Sequence, residues 1–316
     1  MKIITSFPTS HVQPAVVTIG NFDGCHRGHQ YLFKHCLPYR QHQKIVITFN
    51  NSSDNCGLLL NPQQKFAALA KHGFDLCIVQ ELDAKFASVT HPEFLQHYLL
   101  ERLHAKVIIS GEDFCFGYQR LGNADYLRHA QVNMSDSFEF IAVALLLTGN
   151  KMKISSSNIR NLLRAGDICN ANAMLGYPYT LHGVVVQGEQ RGRTINTPTL
   201  NLTVDRRCIV PKSGVYVGVA TIAANTYTCV VNIGTRPTFA ATPTPHKPMA
   251  LSPTPVAATT QVIEAHVIDK KLPKLYGCEV ELQFHQRLRA EKKFPSVQSL
   301  QRQIQQDIQA ARQYEH

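Results

Sequence analysis

Short β-branched runs at Ala15–Ile19, Lys44–Phe49, Asp75–Val79, Lys106–Ser110 and Phe138–Leu145 alternate with stretches of helical spacing up to Thr180. Pro62–His72 sets Phe66, Leu69 and Ala70 on one side, and Glu93–Leu103 carries Phe94, Tyr98, Leu99 and Leu103 as a stripe. This alternation predicts an α/β unit, a parallel sheet with helices on both faces. Beyond it the rhythm changes to β-rich runs at Leu181–Gln187, Thr199–Val204, Val215–Ile222, Thr228–Ile233, Val262–Asp269 and Glu279–Arg287. Connections too short for crossover helices predict an antiparallel barrel there. Ser296–Arg312 closes the chain with Val297, Leu300, Ile304, Ile308 and Ala311 at spacings of three and four, an amphipathic helix with Pro295 as its start signal. The Pro-, Thr- and Ala-rich stretch 240–260 has too little apolar pattern to pack, which predicts a mobile loop within the second half. A junction near Gly176–Thr180 divides the chain into domains at 1–179 and 180–316.

Composition sets outer limits. At 316 residues the chain accommodates two domains, and 44% apolar with 17% charged residues is the balance of a soluble globular protein. The longest apolar run, Ile141–Leu147, is too short to cross a bilayer, and the N-terminus lacks the apolar stretch of a signal peptide. No membrane partner is expected. The nine cysteines are scattered and without a C-x-x-C pair, which predicts reduced thiols in a cytoplasm rather than a disulfide framework or a zinc site. The net charge of +10 allows a nucleic-acid partner, but it is spread without a run of five basic residues and a polyanionic small substrate accounts for it as well. Taken with the motifs below, the expectation is a small-molecule substrate and no nucleic acid.

Candidate chemistry begins at the end of the first apolar run. Gly20 and Gly24 allow a tight turn after Ile19, and a helix can start near Gly28. A strand, a glycine turn and a helix N-terminus make an anion site, because unpaired N–H groups there point at the ligand. His26 and His29, three residues apart, can face the same phosphate from the first helical turn. In an open parallel sheet this turn sits at the carboxyl ends of the strands, where ligands bind. The stretch Gly20–His29, GNFDGCHRGH, resembles the GxFDGxHxGH signature of the nucleotidyltransferase superfamily, in particular the adenylyltransferase half of prokaryotic bifunctional riboflavin kinase/FAD synthetases.

Further segments extend the resemblance. Gly111–Gly117, GEDFCFG, is similar to the family's GxDFxFG. There Phe114 and Phe116 can wall off a flat ring and Asp113 can accept a hydrogen bond from an adenine amine or a hydroxyl. Ile154–Arg160, ISSSNIR, resembles ISSTxIR at a helix start. Ser155, Ser156 and Ser157 can cap the helix or donate to phosphate, and Arg160 offers a guanidinium fork. In the second half, Gly188–Asn201 resembles the riboflavin-kinase segment GRxLGFPTAN, with Gly188, Gly192 and Arg193 in its nucleotide loop and Thr199 and Asn201 at the Mg²⁺–nucleotide positions. Glu264 matches the glutamate of the family's (V/I)E-x-H strand, and Arg289 is open between a flavin-side and a structural role.

The resemblance implies a Rossmann-like nucleotidyltransferase domain followed by a β-barrel riboflavin-kinase domain. It implies phosphorylation of riboflavin to FMN and adenylylation of FMN to FAD with release of pyrophosphate, each with ATP and Mg²⁺. It places His26 and His29 on the transferring phosphate, with Gly20, Asn21, Phe22, Asp23, Gly24 and Gly111 in the same nucleotide site and Ser156 and Arg160 on the departing phosphates. Glu264 becomes the base that takes the proton of the ribityl 5′-hydroxyl. Two departures motivate an alternative, a monofunctional FMN adenylyltransferase with a flavin-binding but kinase-impaired barrel. Asn196-Thr197 stands where the family has Gly-Phe, and the 240–260 stretch is long. Residues 49–57, FNNSSDNCG, stand where the family has a Pro-His-Pro stretch and carry no assigned role.

Overall fold

The computed structural model describes residues 1–10, 13–50, 57–134, 137–187, 199–236, 260–270, 272–273 and 275–314. The 240–259 stretch, Asn196, Thr197 and most of residues 49–57 therefore lie outside the described residues. The chain forms two compact units, Met1–Arg160 with Ala173–Gly176, and Asn161–Asn172 with Tyr177–His316.

The first unit is built on a sheet of β1 (Lys2–Ile4), β2 (Ala15–Ile19), β3 (Gln43–Asn50), β4 (Leu76–Glu81), β5 (Ala105–Gly111) and, after a short β6–β7 hairpin (Cys115–Phe116, Gly122–Asn123), β8 (Glu139–Val143). The order is β1-β4-β3-β2-β5-β8 and every pairing is parallel. Every residue of β2 is buried, which is why its sequence reads as an unbroken apolar run rather than an alternation. From β2 the chain steps to β3 and β4 on one side, then returns to β5 and β8 on the other. The point where the strand order reverses, between β2 and β5, opens a crevice at the carboxyl ends of the strands.

The helices of this unit are α1 (Arg27–Lys34), α2 (Pro62–Lys71), the short α3 (Ala84–Ala87) and α4 (His91–Glu93), then α5 (Ala124–Asn133). Asn61 caps α2, accepting from Gln64 N–H while the Gln64 side chain returns a bond to Asn61 N–H, and Pro62 occupies the first helical position. The Glu93–Leu103 stripe buries Phe94, Leu99 and Leu103 as its spacing predicts, but Phe94–Arg102 winds as a wider π-type helix continuing α4. The run Phe138–Leu145 is strand only over Glu139–Val143, and Leu145 is exposed. β1 has no periodic signal of its own in three residues, and pairing with β4 makes it a strand.

Two helices follow, α6 (Ser156–Ala165) and α7 (Ile168–Leu175). The second unit is a closed barrel of β9 (Tyr179–Val186), β10 (Leu200–Val204), β11 (Gly214–Ile222), β12 (Asn225–Arg236), β13 (Thr260–Val267) and β14 (Glu279–Arg289), ordered β10-β13-β12-β11-β14-β9 with all pairings antiparallel. Its inward residues alternate with outward ones, Leu202 on β10, Val231 and Ile233 on β12, and Ile263, Ala265 and Val267 on β13 being buried.

The last helix, α8 (Val297–Arg312), is capped by a reciprocal pair, Ser296 and Ser299. Ile308 and Ala311 join Val217 and Ile268 in a cluster on the barrel, with Ile304 against it, whereas Val297 in the first turn stays exposed, so the predicted stripe buries only its later turns. Arg289 reaches the nearly fully buried Asp307 of α8, Nε to Oδ1 at 3.0 Å and Nη2 to Oδ2 at 2.7 Å, and Gln303 donates to the same carboxylate at 3.1 Å. Arg289 thus makes the contact of a structural residue, a bidentate fork tying α8 to β14.

Candidate functional sites

The turn after β2 is held by clamps on every side. Phe22 (φ 51°), Gly24 (φ 82°) and Cys25 (φ 34°) occupy left-handed backbone, which costs about 1 kcal/mol or more for each non-glycine residue. Such strain persists only where the surroundings enforce it. The buried Asp23 carboxylate accepts from the backbone N–H of Leu59 at 3.1 Å and of Leu60 at 3.2 Å, and pairs with Arg160 Nη2 at 2.5 Å. Arg160 Nε donates to Gly57 O at 2.7 Å, and Ser156 Oγ donates to Asp23 O at 2.8 Å. Gln30 Nε2 donates to Cys25 O at 2.9 Å. Gly24 has no room for a side chain, since a Cβ there would lie 2.8 Å from Leu59.

These clamps present two histidines. His26 caps α1, its Nδ1 accepting from His29 N–H at 3.4 Å, and the two rings stack with centroids 3.6 Å apart. Burial pulls the His26 pKa down to about 4, with Lys153 and Arg160 pushing the same way. His29 is also held well below the ordinary histidine value, by burial first and then by His26 and Lys65. Both imidazoles are therefore neutral at pH 7. Because Nδ1 of His26 accepts a bond, its proton sits on Nε2, which makes that nitrogen a donor. Nδ1 of His29 is shielded from water without a hydrogen-bond partner among the described residues.

A cavity of about 720 Å³ opens over this turn, within the size range of small-molecule sites. Gly20, Asn21, Phe22, His26 and His29 line it, together with Gly111, Asp113, Ser155, Ser156 and Ser157. Phe114 and Phe116 stack on each other with centroids 5.5 Å apart, and both face the cavity. Asp113 forms an ion pair with Lys153, another lining residue. Asp23 and Arg160 instead face each other beneath the turn. Sequence reasoning missed Lys153, although it directly precedes Ile154-Ser155, and also missed the contribution of Leu59 and Leu60.

In the barrel, register assembles a second group. Asn201 on β10 lies directly opposite Glu264 on β13, which lies directly opposite Asn232 on β12. All three are half-buried and alternate with core residues, so they share the outer face. Thr199 precedes β10 and is half-buried. A Cβ on Gly234, two residues beyond Asn232, would lie 2.7 Å from Glu291 Oε1, so a second carboxylate rests at this end of the row. Gly188, Gly192 and Arg193 lie outside the described residues. No group of three or more His, Cys, Asp and Glu among the described residues could hold a metal, and no described helix is long and apolar enough to cross a membrane.

Comparison with known proteins gives two family matches, FAD synthetase over residues 9–158 and riboflavin kinase over residues 175–315. A protein of Buchnera aphidicola described as a bifunctional riboflavin kinase/FMN adenylyltransferase is 32% identical over 95% of this chain and 93% of its own length. The Escherichia coli K12 protein of the same description is 31% identical over 99% of this chain and 98% of its own length. A crystal structure from Streptococcus pneumoniae, described as a macrolide-efflux protein, superposes with a TM-score of 0.86 at 28% identity over the whole of both chains.

Proposed function

Because this chain belongs to the family of bifunctional riboflavin kinases/FMN adenylyltransferases, we propose that the cavity over the β2 turn is its adenylylation site and the Asn201–Glu264 face of the barrel its phosphorylation site. The enzyme converts riboflavin and ATP to FMN, and FMN and ATP to FAD. The alternative of a kinase-impaired barrel is not favoured, since the riboflavin-kinase match spans the whole barrel and the relatives are described as bifunctional. We assign adenylylation to residues 1–179 and phosphorylation to 180–316, and place both reactions in the cytoplasm, where cysteines scattered without C-x-x-C pairs stay reduced.

The observation that carries the first assignment is the neutral, stacked histidine pair on the wall of a cavity at the strand-order reversal. A phosphate oxygen of FMN attacks the α-phosphorus of ATP, and pyrophosphate leaves with the bonding electrons. The nucleophile is already anionic, so the protein's work is positioning and stabilisation of charge. His26 Nε2–H donates to the transferring phosphate, and His29 completes the pair. Lys153 supplies positive charge beside them. Arg160 acts through Asp23, holding the turn in shape.

In the barrel, Glu264 takes the proton of the ribityl 5′-hydroxyl as that oxygen attacks the γ-phosphorus of ATP, and ADP departs. Thr199 and Asn201 offer neutral oxygens beside a carboxylate, a hard donor set that fits Mg²⁺. Bound there, Mg²⁺ would neutralise charge on the nucleotide phosphates.

Changing His29 to Ala is expected to lower FAD formation from supplied FMN by about a hundredfold or more, the scale of losing one preorganised donor, while FMN formation from riboflavin stays near wild type. Chromatographic separation of the flavins reads both rates in one sample. Equal loss of both would refute the assignment of the cavity to one of the two reactions.

A further inference from the structure

We infer that Lys65 is a positioning residue for adenylyl transfer, its ammonium fixing the entrance of the phosphate turn and holding positive charge behind His29. This rests on reading the cavity as the adenylylation site. Lys65 stands in the first half of α2, and its Nζ reaches the carboxyl ends of two strands: Thr48 Oγ1 at 3.1 Å, Asn21 O at 3.4 Å and Phe49 O at 3.5 Å. Thr48, itself fully buried, donates its hydroxyl to the same Asn21 carbonyl at 3.0 Å. The carbonyl that opens the strained stretch Phe22–Cys25 is therefore held from two elements at once, and the rest of the turn by Asp23, Ser156 and Gln30.

Among the described residues no carboxylate touches the ammonium, which is held by neutral oxygens alone. Its charge is thus not compensated by a direct salt bridge and is felt nearby. Asp23, Cys25 and Cys77 are the titratable groups that act on Lys65, and Lys65 in turn acts on His29. His26 is the other titratable group acting on His29, and Lys153 and Arg160 act on His26. A cation in this place favours the neutral imidazole of His29 and attracts the anionic substrates above it. Propensity does not call for a lysine here: any long apolar side chain suits this helix position, but none would hold Asn21 O or carry charge.

The test is Lys65→Met in the full chain, read by FAD-forming kinetics and by NMR titration of the histidine side chains. The expected result is a fall in kcat of about tenfold or more with KM for FMN and ATP within about threefold, and a His29 titration moved to higher pH. A wild-type kcat, or a lowered kcat with an unmoved His29 titration, would overturn the inference. Should Lys65→Met lose the dispersed resonances of a folded first unit, Lys65→Gln, which keeps a donor and drops the charge, is read by the same two criteria. His29→Ala runs in parallel: retention of FAD formation there defeats the reading of the cavity, whereas a dead His29→Ala beside an unaffected Lys65→Met defeats only the role of Lys65.

Discussion

Replacing Asp23 with Ala is expected to destabilise the first unit by about 3–5 kcal/mol, the cost of removing one partner from a buried ion pair. The magnitude follows from what the carboxylate holds. Arg160 would keep its bond to Gly57 O but lose its counter-charge in a site where both partners are almost excluded from water. The N–H groups of Leu59 and Leu60 would lose their acceptor in the interior, each at about 1–3 kcal/mol if left unsatisfied. With these clamps gone, nothing on that side would enforce the left-handed backbone of Phe22 and Cys25, and the His26–His29 pair would lose its geometry. FAD synthesis should vanish while FMN synthesis persists. Denaturant unfolding followed by flavin chromatography checks both halves. Asp23→Asn, which retains an acceptor for the N–H groups, should lie between Ala and wild type; equal stability of all three would show that the pair carries no weight.

Replacing Glu264 with Gln is expected to lower riboflavin phosphorylation by about 10²–10⁴-fold, the usual contribution of a positioned general base. Gln preserves shape and hydrogen bonding on β13, so Asn201 and Asn232 keep their cross-strand neighbour and the barrel should remain folded. FAD formation from supplied FMN should not change, and the KM for ATP should change little, because the carboxylate is assigned to the hydroxyl and not to the nucleotide. A Gln variant that makes FMN at the wild-type rate would remove Glu264 from the chemistry.

The strand rhythm was legible because strands buried on both faces carry unbroken apolar runs, as in Ala15–Ile19, and barrel strands carry alternation, as in Val231 and Ile233 around Asn232. The glycine turn and the histidine spacing were legible because they act locally, within one turn of α1. Arg160 was expected on the departing phosphates, yet its guanidinium is engaged by Asp23, 137 residues away, a pairing that no local pattern encodes. Lys65 escaped notice for the same reason, since a lysine among Gln64, Phe66 and Ala67 reads as a solvated helix position until the fold sets it against Asn21, 44 residues earlier. The row Asn201, Glu264, Asn232 needed the strand order, because β13 is inserted between β10 and β12 by topology and not by sequence adjacency.

Two independent sites in one chain should complement each other when each is disabled in a separate protein. Purified His29→Ala and Glu264→Gln proteins are each incubated with riboflavin, ATP and Mg²⁺, separately and mixed, and the flavins are resolved by chromatography. FMN alone is expected from the first, essentially no product from the second, and FAD from the mixture, as FMN released by one protein is adenylylated by the other. FAD from either variant alone at the wild-type rate, or none from the mixture, would contradict two independent sites.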